Sequence, residues 1–119
     1  MKNLAVLYDE IFLTHKAPFS HPENPSRLEV IIQKLKNEKF FNDADLIKPA
    51  QASEDDLLSV HSKKHLDFVK NSIKENRLML DPDTYAVKES WDAALAAAGS
   101  LINAVDLVMN KNYKNAFCL

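Results

Sequence analysis

The sequence predicts an α/β domain in which about three strands of a parallel sheet carry helices packed on them, and three observations predict it. Leu4 to Tyr8 is a short unbroken apolar run closed by Asp9, the pattern of a strand buried on both faces rather than of a half-wet antiparallel one. Strand, loop and helix signals alternate along the chain, which is how parallel sheets with right-handed crossovers are built. With 119 residues, 46% of them hydrophobic, there is material for one core and no more, so residues 1–119 read as a single unit.

The elements follow in order. Leu4 to Tyr8 forms the first strand, and Asp9 to Asn24 forms a long loop holding His15, His21, Pro18 and Pro22. A loop of that length inside a small domain is usually functional or disordered. Leu28, Ile31, Ile32 and Leu35 recur at helical spacing and mark the core face of a helix. Leu46 and Ile47 lie in a short second strand over Asp45 to Pro49, with Pro49 confining it to an edge or a strand end. Ser53 followed by Glu54, Asp55 and Asp56 is an N-cap with acids in the first turn. Ser62 caps another helix, with Leu66, Val69 and Ile73 inside and Lys63, Lys64, Lys70 and Lys74 outside. Asp81-Pro82-Asp83-Thr84 is turn chemistry. From about Lys88 to Asn110 runs the longest helix, with Trp91, Leu95, Ala98, Ile102, Val105 and Met109 on one side and Ala93, Ala97 and Gly99 keeping the neighbouring surface thin, so that it is expected to pack closely against a sheet or another helix. Ala116 to Leu119 reads as a third strand.

Composition excludes several classes of function. Fifteen basic against seventeen acidic side chains give a net charge of -2, with no basic run that could track a phosphate backbone, so nucleic acid is not an expected partner. No apolar run approaches membrane-spanning length, and the apolar residues after Met1-Lys2-Asn3 are too few for a secretory core. The expected location is the cytoplasm, and no membrane partner is expected. The lone Cys118 excludes an internal disulfide and a cysteine-based zinc cage. A single glycine leaves no phosphate-cradling loop.

The stretch His21-Pro22-Glu23-Asn24-Pro25-Ser26-Arg27 organises the rest. Pro22 and Pro25 fix their own φ and hold the preceding residues extended until Pro25 starts the helix, with Asn24 as N-cap. Arg27 then falls in the first turn, where a cation gains nothing from the helix dipole. Taken alone it reads as an exposed arginine that snorkels or pairs with Glu23 or Glu29. His61 and His65 are four apart, but they straddle the Ser62 cap and lack a third ligand, so hydrogen-bonded structural histidines are expected there rather than a metal pair.

Tyr8-Asp9, His15 and the 21–27 segment together resemble the opening of the zinc-dependent deacetylase family of histone deacetylases, acetylpolyamine amidohydrolases and acetoin-utilisation proteins. The resemblance continues through Leu57-Leu58-Ser59-Val60-His61-Ser62, Asp81-Pro82-Asp83-Thr84-Tyr85 and the alanine-rich helix from Trp91 to Val108. It implies an arginase/deacetylase-like parallel-sheet fold of which this chain is the N-terminal portion. It also implies that Arg27 lies at the inner end of a substrate tunnel near an acetate exit, with its guanidinium turned inward. Asp83 would sit on the rim and hold the substrate's backbone amides, and His21 and Pro22 would line the entrance. His15 reads as a loop-ordering histidine.

The family's zinc ligands, paired histidines and carbonyl-polarising tyrosine all lie later than the position matching Leu119. The expectation is therefore no catalytic residue, no metal ligand and no cofactor in this chain, with zinc belonging to the full-length family. An acetyl-lysine or acetylated amine would be a substrate only once a C-terminal part completes the pocket. The chain alone is expected to be inactive, and to self-associate or meet a complementing chain. The alternative is a non-catalytic interaction module that retains the front of the fold.

Overall fold

The computed structural model describes all residues from Met1 to Leu119. Three strands, β1 (Lys2–Leu7), β2 (Ala44–Ile47) and β5 (Tyr113–Cys118), form a parallel sheet in the order β2-β1-β5. The helices are α1 (Ser26–Asn37), α2 (Glu54–Leu58), α3 (Lys63–Lys74) and α4 (Ser90–Met109). A two-stranded antiparallel ribbon, β3 (Met79–Asp81) with β4 (Thr84–Tyr85), stands apart from the main sheet. The α/β expectation is met. The strand bounds shift by one to three residues: β1 starts at Lys2 and β5 at Tyr113, which pair with each other, Tyr113 also packing against the Ala5–Leu7–Ala104 cluster. Three elements go beyond the sequence reading: the β3–β4 ribbon, which folds around the expected turn, a 3-10 turn over Glu10–Thr14 inside the long loop, and another over Phe40–Asn42 after α1.

The central strand is covered on both faces. Ala5 and Leu7 pack against Ala104 of α4. Tyr8, one residue out of phase, packs with Leu28 and Ile32 of α1. That alternation is the period of a strand placed between two helical layers. Lys2 Nζ (2.7 Å) and the Tyr113 hydroxyl (2.6 Å) both donate to the Asp45 carboxylate, tying all three strands together at one end. The hydrogen bond from Lys2, then that from Tyr113, holds the Asp45 carboxyl below its ordinary range.

The serine caps hold. Ser53 accepts from Asp56 N–H while the Asp56 carboxylate accepts from Ser53 N–H, a closed capping box. Ser62 caps α3 through His65 N–H. At the start of α1 the N-cap is Pro25 (φ -68°, ψ -16°) and not Asn24, since the first helical N–H groups, of Leu28 and Glu29, go to Pro25 C=O; Asn24 Oδ1 instead closes the turn just before it by accepting from Ser26 N–H at 3.1 Å. Lys70, expected outside, is half-buried, placed 5.0 Å from the Trp91 ring and ion-paired with Glu54.

The expectation for α4 is met in part. Its buried residues are small ones, Ser90, Ala93, Ala96, Gly99, Ser100 and Ala104, whereas Ile102, Val105 and Met109 are exposed. Close backbone approach explains the division. Ala52 N–H donates to Leu95 C=O at 2.9 Å and Ala50 N–H to Asn103 Oδ1 at 2.7 Å, a distance that only a small-residue stripe permits. With mean hydropathy 1.4 over a membrane-length window, this 20-residue helix is also long and apolar enough to cross a membrane. The expectation that no apolar run approaches that length was thus too strict: Ser, Asn and Asp residues interrupt the run without lowering its average enough.

Candidate functional site

The loop after β1 and the chain entering α4 meet beyond the carboxyl end of β1, where parallel α/β sheets place their ligand crevices. Asp9 starts the loop by accepting from Ile11 N–H at 3.0 Å, which nucleates the 3-10 turn. From there the loop wraps around one side chain, Tyr85 of β4, which is 2% exposed. The His15 ring stacks flat on it, with centroids 4.4 Å apart and planes 10° from parallel. The His21 ring meets it edge-on at 5.0 Å, and Phe19 does so at 6.2 Å. The Tyr85 hydroxyl donates to Glu23 C=O at 3.1 Å, with His15 C=O at 3.3 Å as a second acceptor. Burial, followed by the nearby Glu23 charge, pushes the phenol up from its ordinary pKa, so it remains a donor.

Both loop histidines are fixed at each ring nitrogen. Glu23 N–H donates to His21 Nδ1 at 3.1 Å, which puts the neutral ring's proton on Nε2. Nε2 faces Asp83 Oδ1 at 3.3 Å. His15 Nδ1 lies 2.7 Å from Ser90 Oγ, and its Nε2 lies 3.7 Å from the Glu23 carboxylate. Ser90 Oγ also accepts from Val87 N–H at 2.8 Å. The first residue of α4 is thereby joined to the loop 75 positions earlier.

Of the four residues expected to line a substrate pocket, the fold brings two together. His21 and Asp83 are in contact, the imidazole almost covered and the carboxylate 94% exposed. Asp81 holds the turn by accepting from Asp83 N–H and the Thr84 hydroxyl, each at 2.8 Å. Asp83 is thus presented outward with one oxygen steadied by an imidazole N–H, and it can accept N–H donors from a ligand. Pro22 is exposed beside it, and its carbonyl accepts from Asn24 Nδ2 at 3.2 Å. Arg27 does not join them. It is exposed on the first turn of α1, without the inward-turned carbonyl and carboxylate contacts expected of it, because Leu28 and Ile32 take the inward face of that helix. An open groove of about 300 Å³ runs between the loop and the start of α1, lined by Lys16, Phe19, His21, Glu23 and Glu29 among others.

Sequence reasoning missed Tyr85, Ser90 and Glu23 as the groups that organise the loop. A tyrosine immediately after the Asp81–Thr84 turn was the available signal, since a large aromatic in so short a ribbon has little reason to be there unless it anchors something else. The three- or four-donor catalytic zinc centre that the resemblance implies is not formed by these residues. No three His, Cys, Asp or Glu side chains converge to hold a metal ion, whereas such sites need three or four donors. His61 and His65 are both exposed with rings 5.1 Å apart, and neither ring makes the structural hydrogen bond expected of it.

A three-stranded parallel sheet flanked by helices, with the Tyr85 loop cluster at its strand ends, defines an α/β domain. Residues 21–119 match the histone deacetylase domain family. A probable deacetylase of Archaeoglobus fulgidus is 33% identical over 116 residues, spanning 96% of this chain and 32% of that protein. The polyamine deacetylase HDAC10 of Danio rerio is 28% identical, spanning 97% of this chain and 18% of its own length. The crystal structure of the HDA15 HD domain superposes with a TM-score of 0.87 at 29% identity, over 98% of this chain and 34% of that one. The chain belongs to the histone deacetylase family and corresponds to an N-terminal portion of its domain. It spans about a third or less of the length of these relatives.

Proposed function

We propose that this chain forms the front wall and rim of an acyl-amide pocket, and that hydrolysis of an acetylated amine or acetyl-lysine requires a further portion carrying the zinc ligands and the base. The observation that supports it is the His21–Asp83 contact over buried Tyr85. That contact places an outward carboxylate at the strand ends, where amide N–H or ammonium groups of a substrate can be held. Arg27, exposed in these residues, would be enclosed on assembly with that portion. Metal-assisted hydrolysis needs a polarised water and a base to take its proton, and neither is furnished here. A cytoplasmic location belongs to the same proposal, on the strength of the composition.

The test mixes the purified chain with a polypeptide spanning the rest of the Archaeoglobus relative's domain. Zinc-dependent acetate release is expected from the mixture and not from either part. Asp83→Ala is expected to raise KM in the active mixture with a smaller effect on kcat, since it removes a binding contact. Acetate release by the 119-residue chain alone, abolished by a chelator, overturns the division of labour. A mixed complex that forms and stays inactive overturns the pocket assignment.

A further inference from the structure

The geometry points to a two-histidine binding site for a divalent transition metal at the corner between α2 and α3, formed by His61 and His65 and separate from the loop cluster. Four observations carry it. Both side chains are exposed, and their ring centroids lie 5.1 Å apart with planes tilted by 33°. Two imidazoles bound to one tetrahedral ion, each with N about 2.0 Å from the metal, have centroids about 5.2 Å apart. The rings therefore already stand at the spacing of a chelating pair. Neither ring takes part in a hydrogen bond or ion pair within the fold, and both are exposed, so their nitrogens are open to a ligand.

The backbone between the rings is also set. Ser62 caps α3 and fixes the turn that separates them, so the backbone carrying the two rings is already ordered and only the exposed side chains have to settle on an ion. Of the flanking cations, Lys63 is tied to Asp67 at 3.0 Å and turns its charge along the helix, which leaves Lys64 as the one uncompensated positive neighbour on that turn. Two imidazoles and water suit Cu²⁺, Ni²⁺ and Zn²⁺, not Mg²⁺ or Ca²⁺, which prefer oxygen. A bound ion would join the residues trailing α2 to the first turn of α3, closing the corner at which Val60 is 79% exposed.

The test titrates the whole chain with Cu²⁺, Zn²⁺ and Mg²⁺ by calorimetry, with histidine side-chain NMR to locate the ion. One equivalent is expected, Cu²⁺ tighter than Zn²⁺ and no Mg²⁺ effect, with His61 and His65 resonances moving together and the thermal midpoint rising on addition of metal. His61→Ala or His65→Ala is expected to weaken binding by roughly tenfold or more, since losing a donor costs at least as much as losing its outer-shell support. Both sites are exposed, so these variants fold. His61→Gln and His65→Gln repeat the measurement with a side chain of similar length. Binding of unchanged affinity in either variant, shifts confined to His15 and His21, or no binding at all each overturn the site. Acetate release plays no part, so this test and that of the pocket fail independently.

Discussion

Tyr85 organises the candidate site without offering it a reactive group. Its ring is the platform for His15, Phe19 and His21, and its hydroxyl is the hydrogen-bond donor that reaches across to the loop carbonyls of His15 and Glu23. Removing only that oxygen separates the two roles. Tyr85→Phe keeps the stacked rings but leaves the carbonyls short of a donor, and it should cost about 1 to 2 kcal/mol in urea unfolding. It should also loosen the loop, seen as faster amide exchange at Glu23. Unchanged stability and unchanged exchange would mean that the ring alone orders the loop. The histidines were legible as loop residues because two prolines and a helix start bracket them. Their partners were not, since Ser90 lies 75 positions from His15 and Asp83 62 from His21, and no spacing rule within one element reaches so far.

At the scale of the elements, the helices show where local signals suffice and where they do not. Caps at Ser53 and Ser62 are contacts between residues three apart, and each formed as its residue types require. The face of α4 is half legible: the thin surface expected at Ala93 and Gly99 is indeed the close-packed one, whereas the large residues Ile102, Val105 and Met109 lie exposed, because closeness of approach and not hydrophobic size decides which side is buried. The only glycine, Gly99, has its α-carbon where an added methyl would meet Ala50 O at 1.9 Å. Gly99→Ala must therefore push α4 away from the 50–52 segment, at a cost of roughly 1 to 3 kcal/mol or more. Meanwhile α1, α3 and α4 all end on left-handed residues that are not glycine, Lys39, Asn76 and Lys111 (φ 54°, 56° and 58°). A lysine pays about 1 kcal/mol for that conformation, so Lys111→Gly should raise the unfolding midpoint as Gly99→Ala lowers it. If both variants moved the midpoint the same way, the account of where this chain needs its glycine would be wrong.

The whole molecule is a sheet with apolar surface left over. The outer side of α4 carries Leu101, Val105 and Met109, 64%, 54% and 73% exposed, at the i, i+4, i+8 spacing of one continuous stripe. On the opposite face of the sheet, Leu46 and Phe117 flank the buried Val6 across the three strands and are 43% and 56% exposed, two separate apolar spots beside the covered central strand. The outer edge of β5 pairs with no other strand. Monomeric soluble proteins rarely leave such contiguous patches open, and an unpaired strand edge adds a template for pairing. The chain matches only about a third of the HDA15 HD domain with which it superposes, so more of that fold is available to cover these faces than is present in these residues. The purified chain should accordingly self-associate as its concentration rises through the micromolar range in sedimentation equilibrium. Leu101→Lys combined with Val105→Lys should shift it toward monomer while leaving helix content unchanged, because both side chains already face outward. Addition of the complementing polypeptide used to test the pocket should displace the self-associated form, since the two compete for the same surface. Wild-type chain that remains monomeric throughout, with the double variant indistinguishable from it, would show that the exposed stripe drives no association.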